Sequence, residues 1–242
     1  MAARKKNILW TLWGIAFLLS LAALLLPARE EAQPVSARKN GGYVALTFDD
    51  GPWPNTTEKL LDGLAERGVK ATFFLIGSQV EDQRDTVERM AAEGHQIGLH
   101  TWDHVQLEGC SQEKIHSQLD PCREALTAIV GPTDFMVRPP YGFVDDNLKK
   151  WVDAPIICWS VDTEDWKDKN PARILQVCQD EAEDGAIILM HDIYDTSVEA
   201  ALQTVDALIA QGYYFVTVEE LFALRREVPE HGVVYMDLPP NA

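Results

Sequence analysis

Short apolar runs alternate with stretches of helical spacing from residue 43 to residue 216, and this alternation constrains the fold more than any other feature of the chain. Tyr43-Val44-Ala45-Leu46 and residues 69–76 read as buried strands. Between them Leu60, Leu61 and Leu64 stand at helical spacing within residues 57–67, and Gly68 supplies the stop. The pattern continues with a helix over residues 80–93, a short strand over 96–99 and a helix within 112–130 that Pro121 is expected to interrupt. Strand signals recur at 135–137, 156–159, 186–190 and 214–216, with helical patterns over 171–183 and 198–211. About seven strands separated by helices predict an α/β fold with a parallel sheet, and at this length a closed or nearly closed (β/α) barrel. A chain of 242 residues, 46% of them hydrophobic, can bury one large core, so one domain of catalytic size is expected.

The amino terminus lies outside this pattern. Arg4, Lys5 and Lys6 precede residues 8–26, which carry no charge and are long enough to cross a bilayer core as a helix. The basic flank would stay on the cytoplasmic side and leave everything after it outside. Residues 1–28 therefore read as an uncleaved transmembrane anchor. A cleaved secretory signal is the alternative, but its apolar region is usually shorter, and Pro27-Ala28-Arg29-Glu30 is an indifferent cleavage site. Residues 29–41 read as a linker, 42–224 as the catalytic domain, and 225–242, with Pro229, Pro239 and Pro240, as a wrapping extension.

Removing residues 1–38 takes away five basic and two acidic groups, so the net charge moves from −17 to −20. Such acidity disfavours nucleic acid and polyanionic polymers and leaves a neutral or cationic substrate. Cys110, Cys122, Cys158 and Cys178 show no Cys-x-x-Cys spacing, which argues against a zinc ribbon or a redox pair. Export permits a disulfide, and Cys110 with Cys122 is the pair to test, while Cys158 reads as a buried strand thiol.

The unusual polar residues all follow strands. Thr47-Phe48-Asp49-Asp50-Gly51-Pro52 places adjacent carboxylates where Gly51 and Pro52 force the chain out of its strand. In parallel α/β proteins that carboxyl edge is where active sites assemble. His100 and His104 are four residues apart, and on one helical turn their imidazoles would share a face able to bind one metal ion. A zinc-protease motif would carry Glu after the first histidine, and here Thr101 stands there. With one carboxylate from the first stretch, the pair makes a two-His-one-carboxylate set suited to a hydrolytic Zn²⁺ site. Arg138-Pro139-Pro140-Tyr141-Gly142 fixes a loop beside a cation, residues 159–166 interleave acids with Trp159 and Trp166, and His191 ends an apolar strand.

Taken in order, residues 47–52, 100–104, 138–142, 162–166 and 189–191 resemble the five motifs of the polysaccharide deacetylase family, carbohydrate esterase family 4 or NodB homology domain. The resemblance covers about residues 43–222 and implies a distorted (β/α) barrel and metal-dependent removal of acetyl groups from polysaccharides. It implies Asp50, His100 and His104 as metal ligands, with Zn²⁺ the first expectation and Co²⁺ the second, and Asp49 as catalytic base held by Arg138. It implies His191 as the acid that protonates the departing amine, oriented by Asp165. The backbone N–H of Tyr141 would face the oxyanion, and Trp166 and Leu189 would wall the acetyl pocket. Val105 after the second histidine departs from the frequent Pro, and Asp103 sits where members vary; neither removes a required group. The expected substrate is a polymer with N-acetylglucosamine units, peptidoglycan first because an anchor would hold the enzyme beside it. Chitooligosaccharides and acetylated xylan are the alternatives within the family, and a non-catalytic carbohydrate-binding descendant is the alternative outside it.

Overall fold

A computed structural model describes residues 41–240 of the chain. The apolar segment 8–26 and nearly all of the linker lie outside the described residues, and among the described residues no helix is long and apolar enough to cross a membrane. The strands are β1 (Gly42–Asp49), β2 (Thr72–Leu75), β3 (Gln96–Leu99), β4 (Ile156–Ile157), β5 (Val161–Asp162), β6 (Ile187–His191), β7 (Tyr213–Phe215) and β8 (Val234–Tyr235). The helices are α1 (Thr56–Arg67), α2 (Arg84–Ala92), α3 (Gln112–Val130), α4 (Asp146–Trp151), α5 (Asp165–Asp168), α6 (Pro171–Glu181), α7 (Asp195–Ala210) and α8 (Val218–Arg225).

Every pairing between these strands is parallel. The main sheet runs β3-β2-β1-β6-β5, with β7 added on the amino-terminal half of β1. Single bridges from Leu99 to Val137 and from Val137 to Ile156 carry the pairing onward to β4 and β8. The extended segment 156–162 therefore touches both ends of the run, through β4 on one side and through β5 against β6 on the other. The tail enters as well: β8 lies on β4, and Asp237 bridges to Ala186 just before β6.

Strand periodicity divides the core into two faces. Val44, Leu46 and Phe48 of β1 pack outward into one apolar cluster with Leu60, Leu61 and Leu64 of α1. Ala45, Phe74, Met136, Ile157 and Ile187 form a second cluster, to which α8 contributes Val218, Leu221 and Phe222. Following that second face along each strand gives Ala45-Thr47-Asp49, Ile187-Leu189-His191 and Met136-Arg138, so an apolar floor turns polar at the carboxyl ends.

Several expectations are corrected. The strand anticipated at 135–137 shrinks to Val137 alone, that at 156–159 stops at Ile157, and a further short strand not anticipated follows at Val161–Asp162. Helix α3 is not interrupted at Pro121: Ser117, whose carbonyl loses its helical partner there, is exposed and open to water. No disulfide joins Cys110 to Cys122, and all four thiols are free. Their sulfurs turn to different acceptors, Cys110 to the Gln106 carbonyl and Cys122 to the Leu75 carbonyl. Cys158 is buried as expected, just beyond β4 rather than within it, and burial pushes its thiol pKa up.

Candidate active site

A cavity of about 420 Å³ opens at the carboxyl ends of β1, β3, β5 and β6. Asp49, Asp50, His100, His104, Tyr141, Trp166, Leu189 and His191 line it, joined by Phe143, Trp159 and Asp162. Asp49 is the last residue of β1 and pairs in register with His191, so two chemically distinct groups are set side by side by sheet hydrogen bonding alone. Beyond Asp49 the chain turns at once: Asp50 takes φ 73°, and the Gly51–Pro52 peptide is cis. A Cβ on Gly51 would lie 2.5 Å from a carboxylate oxygen of buried Asp192, so a side chain in this turn would have to displace that carboxylate.

Left-handed backbone recurs around the rim at Asp50, Thr101, His104, Tyr141 and Glu164, with φ between 47° and 73°. Non-glycine residues adopt it at a cost of roughly 1–3 kcal/mol each, and such costs concentrate where side chains must be aimed. His104 is an instance. The histidine pair was expected on a helical turn, whereas residues 100–105 form a loop, and Thr101 and His104 in left-handed conformation bring the rings to 5.0 Å between centroids. The turn Gly77–Gln79 braces that loop through amides donated to the carbonyls of Thr101 and Trp102.

The Nε2 atoms of His104 and His100 stand 3.1 and 3.4 Å from Asp50 Oδ1. One ligand atom from each of the three residues falls within a 4.8 Å cluster. His100 Nδ1 meets the Arg138 carbonyl at 2.7 Å, which makes it the protonated nitrogen and leaves the Nε2 lone pair toward Asp50. Asp50 Oδ1 is buried without a hydrogen-bond partner. A buried carboxylate oxygen left open between two imidazole nitrogens is costly by itself, and a divalent cation would satisfy all three. Burial works to raise the Asp50 pKa, but the neighbouring imidazoles of His100, His191 and His104 outweigh it and hold the carboxyl below its ordinary range. Burial lowers the pKa of His104, which favours the neutral ring a metal ligand needs.

Asp49 is held differently. Arg138 is fully buried and its Nη1 donates at 2.8 Å both to Asp49 Oδ1 and to Thr47 Oγ1. Its Nε and Nη2 donate to the carbonyls of Ile157 and Cys158, and its guanidinium lies 4.2 Å over the Phe74 ring. Across the cavity, Asp165 is fully buried and takes both His191 ring Nδ1–H and backbone N–H, at 2.7 and 2.8 Å. Burial alone would lower the His191 pKa, but the hydrogen bond and charge of Asp165, with the charges of Asp49 and Asp50, push it up to about 9.

Thr47, Phe143 and Asp192 carry no role in the sequence motifs, although Thr47 opens the first of them. Thr47 was recoverable, since it stands two residues before Asp49 on the same strand face. Asp192 was not. It accepts from Thr57, whose hydroxyl also receives the Trp53 amide, and so ties the turn after Asp50 to the end of β6. Burial pushes its pKa up to about 7.

An α/β sheet whose carboxyl rim gathers a trio of side chains able to hold a cation, a tethered carboxylate and an imidazole paired with a buried acid around one cavity has the make-up of a hydrolase site. The sequence signature of the polysaccharide deacetylase family matches residues 36–154. Peptidoglycan-N-acetylglucosamine deacetylase PgdA of Listeria monocytogenes is 40% identical over 212 residues, covering 88% of this chain and 45% of that protein. Peptidoglycan-N-acetylmuramic acid deacetylase PdaC of Bacillus subtilis is 39% identical over 202 residues, 84% of this chain and 42% of that protein. Its solved structure superposes with a TM-score of 0.74 at 40% identity, over 77% of this chain and 93% of that one. A family 4 acetyl xylan esterase from Clostridium thermocellum, solved in complex with a cobalt ion, gives 0.78 at 30% identity, over 81% of this chain and 99% of that one. The chain belongs to the polysaccharide deacetylase family, and it spans less than half the length of the two curated relatives above.

Proposed function

We propose that the chain is a metal-dependent N-deacetylase of N-acetylglucosamine units in an extracellular polysaccharide, with peptidoglycan as the polymer. The observation that carries this is the division of labour at two adjacent acids: Asp50 offers an unpartnered oxygen between two imidazoles, while Arg138 holds Asp49 beside that point. Asp50, His100 and His104 would hold the cation, Zn²⁺ or Co²⁺. A divalent ion held there would polarise the acetyl carbonyl and acidify water.

The remaining steps belong to the chain's own residues. Asp49 takes the proton of the attacking water as its oxygen adds to the acetyl carbonyl carbon. The backbone N–H of Tyr141, at the left-handed bend over the cavity, is assigned to the carbonyl oxygen as it gains charge. His191 gives its proton to the amide nitrogen as the C–N bond breaks, so acetate and a free amine leave, and the proton on Asp49 then passes to solvent or back to His191. Trp166 and Leu189 wall the space for the acetyl methyl. Asp165 holds the His191 ring so that its proton is available to the leaving amine. The 39–40% identity to two peptidoglycan deacetylases, against 30% to an acetyl xylan esterase, favours N-deacetylation over acetylxylan hydrolysis. The basic flank and apolar run of residues 1–28 support an exported, membrane-anchored enzyme.

The test is acetate release by the full-length chain from peptidoglycan, chitooligosaccharides and acetylated xylan, with and without chelator. Chelator-sensitive release from the first two is expected. Release from xylan alone would move the assignment to the esterase, and no release from any polymer by metal-loaded protein would overturn it.

A further inference from the structure

Beside the catalytic cavity lies a second one of about 430 Å³, within the 300–1,000 Å³ typical of small-ligand sites. The two share Tyr141, Phe143 and Trp159, so these rings join the hollows into one continuous surface. Tyr141 and Phe143 are exposed, with ring centroids 6.5 Å apart, and present apolar faces of the kind that carry pyranose rings.

The chemistry changes across that boundary. Asp49, Asp50 and Asp162 line the catalytic cavity, whereas the second contains no carboxylate among its lining residues and one cation, Lys149. In a chain with 38 acidic and 21 basic residues, a hollow lined by a lysine and by no acid is not the default surface. Lys149 is only loosely tied: its Nζ lies 3.7 Å from Asp146, which is fully exposed, and such pairs contribute little. Its backbone, by contrast, is fixed. Gly232 at φ 71° packs so closely on the Lys149 carbonyl that a Cβ there would come within 2.2 Å, and the Gly232 amide donates to Ala154. The carboxyl-terminal extension thus clamps α4 and then, through β8, delivers exposed Met236 to the same hollow.

Resting on the deacetylase reading, we propose that this hollow is a subsite for the sugar adjoining the reacting N-acetylglucosamine, and that Lys149 selects an adjoining sugar bearing a carboxylate. A lactyl ether of the muramic acid type that carries no peptide and a uronic acid offer the same group, and chitin offers none. Met236 supplies the apolar floor against which that sugar rests.

The experiment uses the full-length, metal-loaded chain and compares kcat/KM for acetate release from two tetrasaccharides that alternate N-acetylglucosamine with muramic acid. In one the lactyl carboxylate is free, and in the other it is a methylamide. The acid-to-amide ratio should fall about three- to five-fold in Lys149→Gln, the size of one solvent-exposed charge contact, and recover in Lys149→Arg. Met236→Ala should raise KM for both tetrasaccharides more than it lowers kcat. The same ratio measured with a uronic acid in place of muramic acid tells which sugar acid the site serves better. An acid-to-amide ratio unchanged by Lys149→Gln, in an enzyme that turns over, overturns the subsite alone; absence of turnover on every substrate overturns the deacetylase reading instead.

Discussion

Asp49 with Arg138 and His191 with Asp165 are both acid–cation pairs sunk into one rim, yet the first fixes a position and the second a protonation state. In the first pair the guanidinium is the immobile partner, fully buried and spending its donors on Thr47, Ile157 and Cys158 as well as on Asp49. In the second the carboxylate is the immobile partner, and its effect is read in the imidazole pKa, pushed up to about 9. What the fold pins sets what its partner could do: a guanidinium pinned against Asp49 fixes the point at which that acid could accept a proton, and a carboxylate pinned against His191 would keep a proton available there.

Breaking the first pair at its reactive end should have the largest effect. Asp49→Asn is expected to lower kcat by about 10²–10⁴-fold, the range of a general base, while metal content measured by elemental analysis stays at wild type. His100→Ala should reverse that pattern and lose the metal. Turnover unaffected in Asp49→Asn would remove Asp49 from its role.

Breaking the same pair at its buried end should be felt in stability. Arg138→Met leaves Asp49 without its partner and strands two carbonyls, and urea unfolding should show a loss of about 3–5 kcal/mol. A loss under about 1 kcal/mol would mean that water replaces the guanidinium and that Asp49 is not held by it.

The second pair is sharpened by pH. Because the folded His191 pKa lies above the ordinary value near 6.5, its stabilisation is fully present below about pH 6.5 and is lost as pH rises through about 9. Urea unfolding of chelator-treated protein at pH 6 and pH 10 should show this loss in the wild type and much less of it in Asp165→Asn. The alkaline limb of kcat should also move toward lower pH in that variant.

Smaller still is the effect expected at the turn between the pairs. Gly51→Ala drives a methyl onto the Asp192 carboxylate and should cost about 1–3 kcal/mol by thermal denaturation, with turnover reduced through a displaced Asp50. Smallest is Cys110→Ser, away from both pairs: with every cysteine free, it should shift stability by under about 0.5 kcal/mol, and added reductant should leave the melting temperature unchanged.

Much of the site was legible because strand periodicity is local. Residues 45, 47 and 49, and 187, 189 and 191, share a face by the two-residue repeat, and the apolar runs before them say where each strand ends. The histidine pair was legible as a pair but misplaced on a helix, since nothing in residues 100–104 announces that Thr101 and His104 take left-handed conformations. Pro121 misled in the opposite direction, because a single exposed carbonyl can be satisfied by water. The tail's part in the sheet, through β8 and Asp237, had no periodic signal, as two-residue strands are too short to carry one.

By itself the sequence determined the alternation of strand and helix, the face each inward residue occupies, and the order in which polar groups reach the carboxyl edge, because these depend on spacing between near neighbours. Tertiary structure alone decided that one Asp50 oxygen stands open between two imidazoles, that Arg138 is buried beneath Asp49, and that the tail brings Met236 beside Lys149. Those facts depend on contacts between residues far apart in the chain, which impose the left-handed turns and side-chain directions that local spacing leaves free.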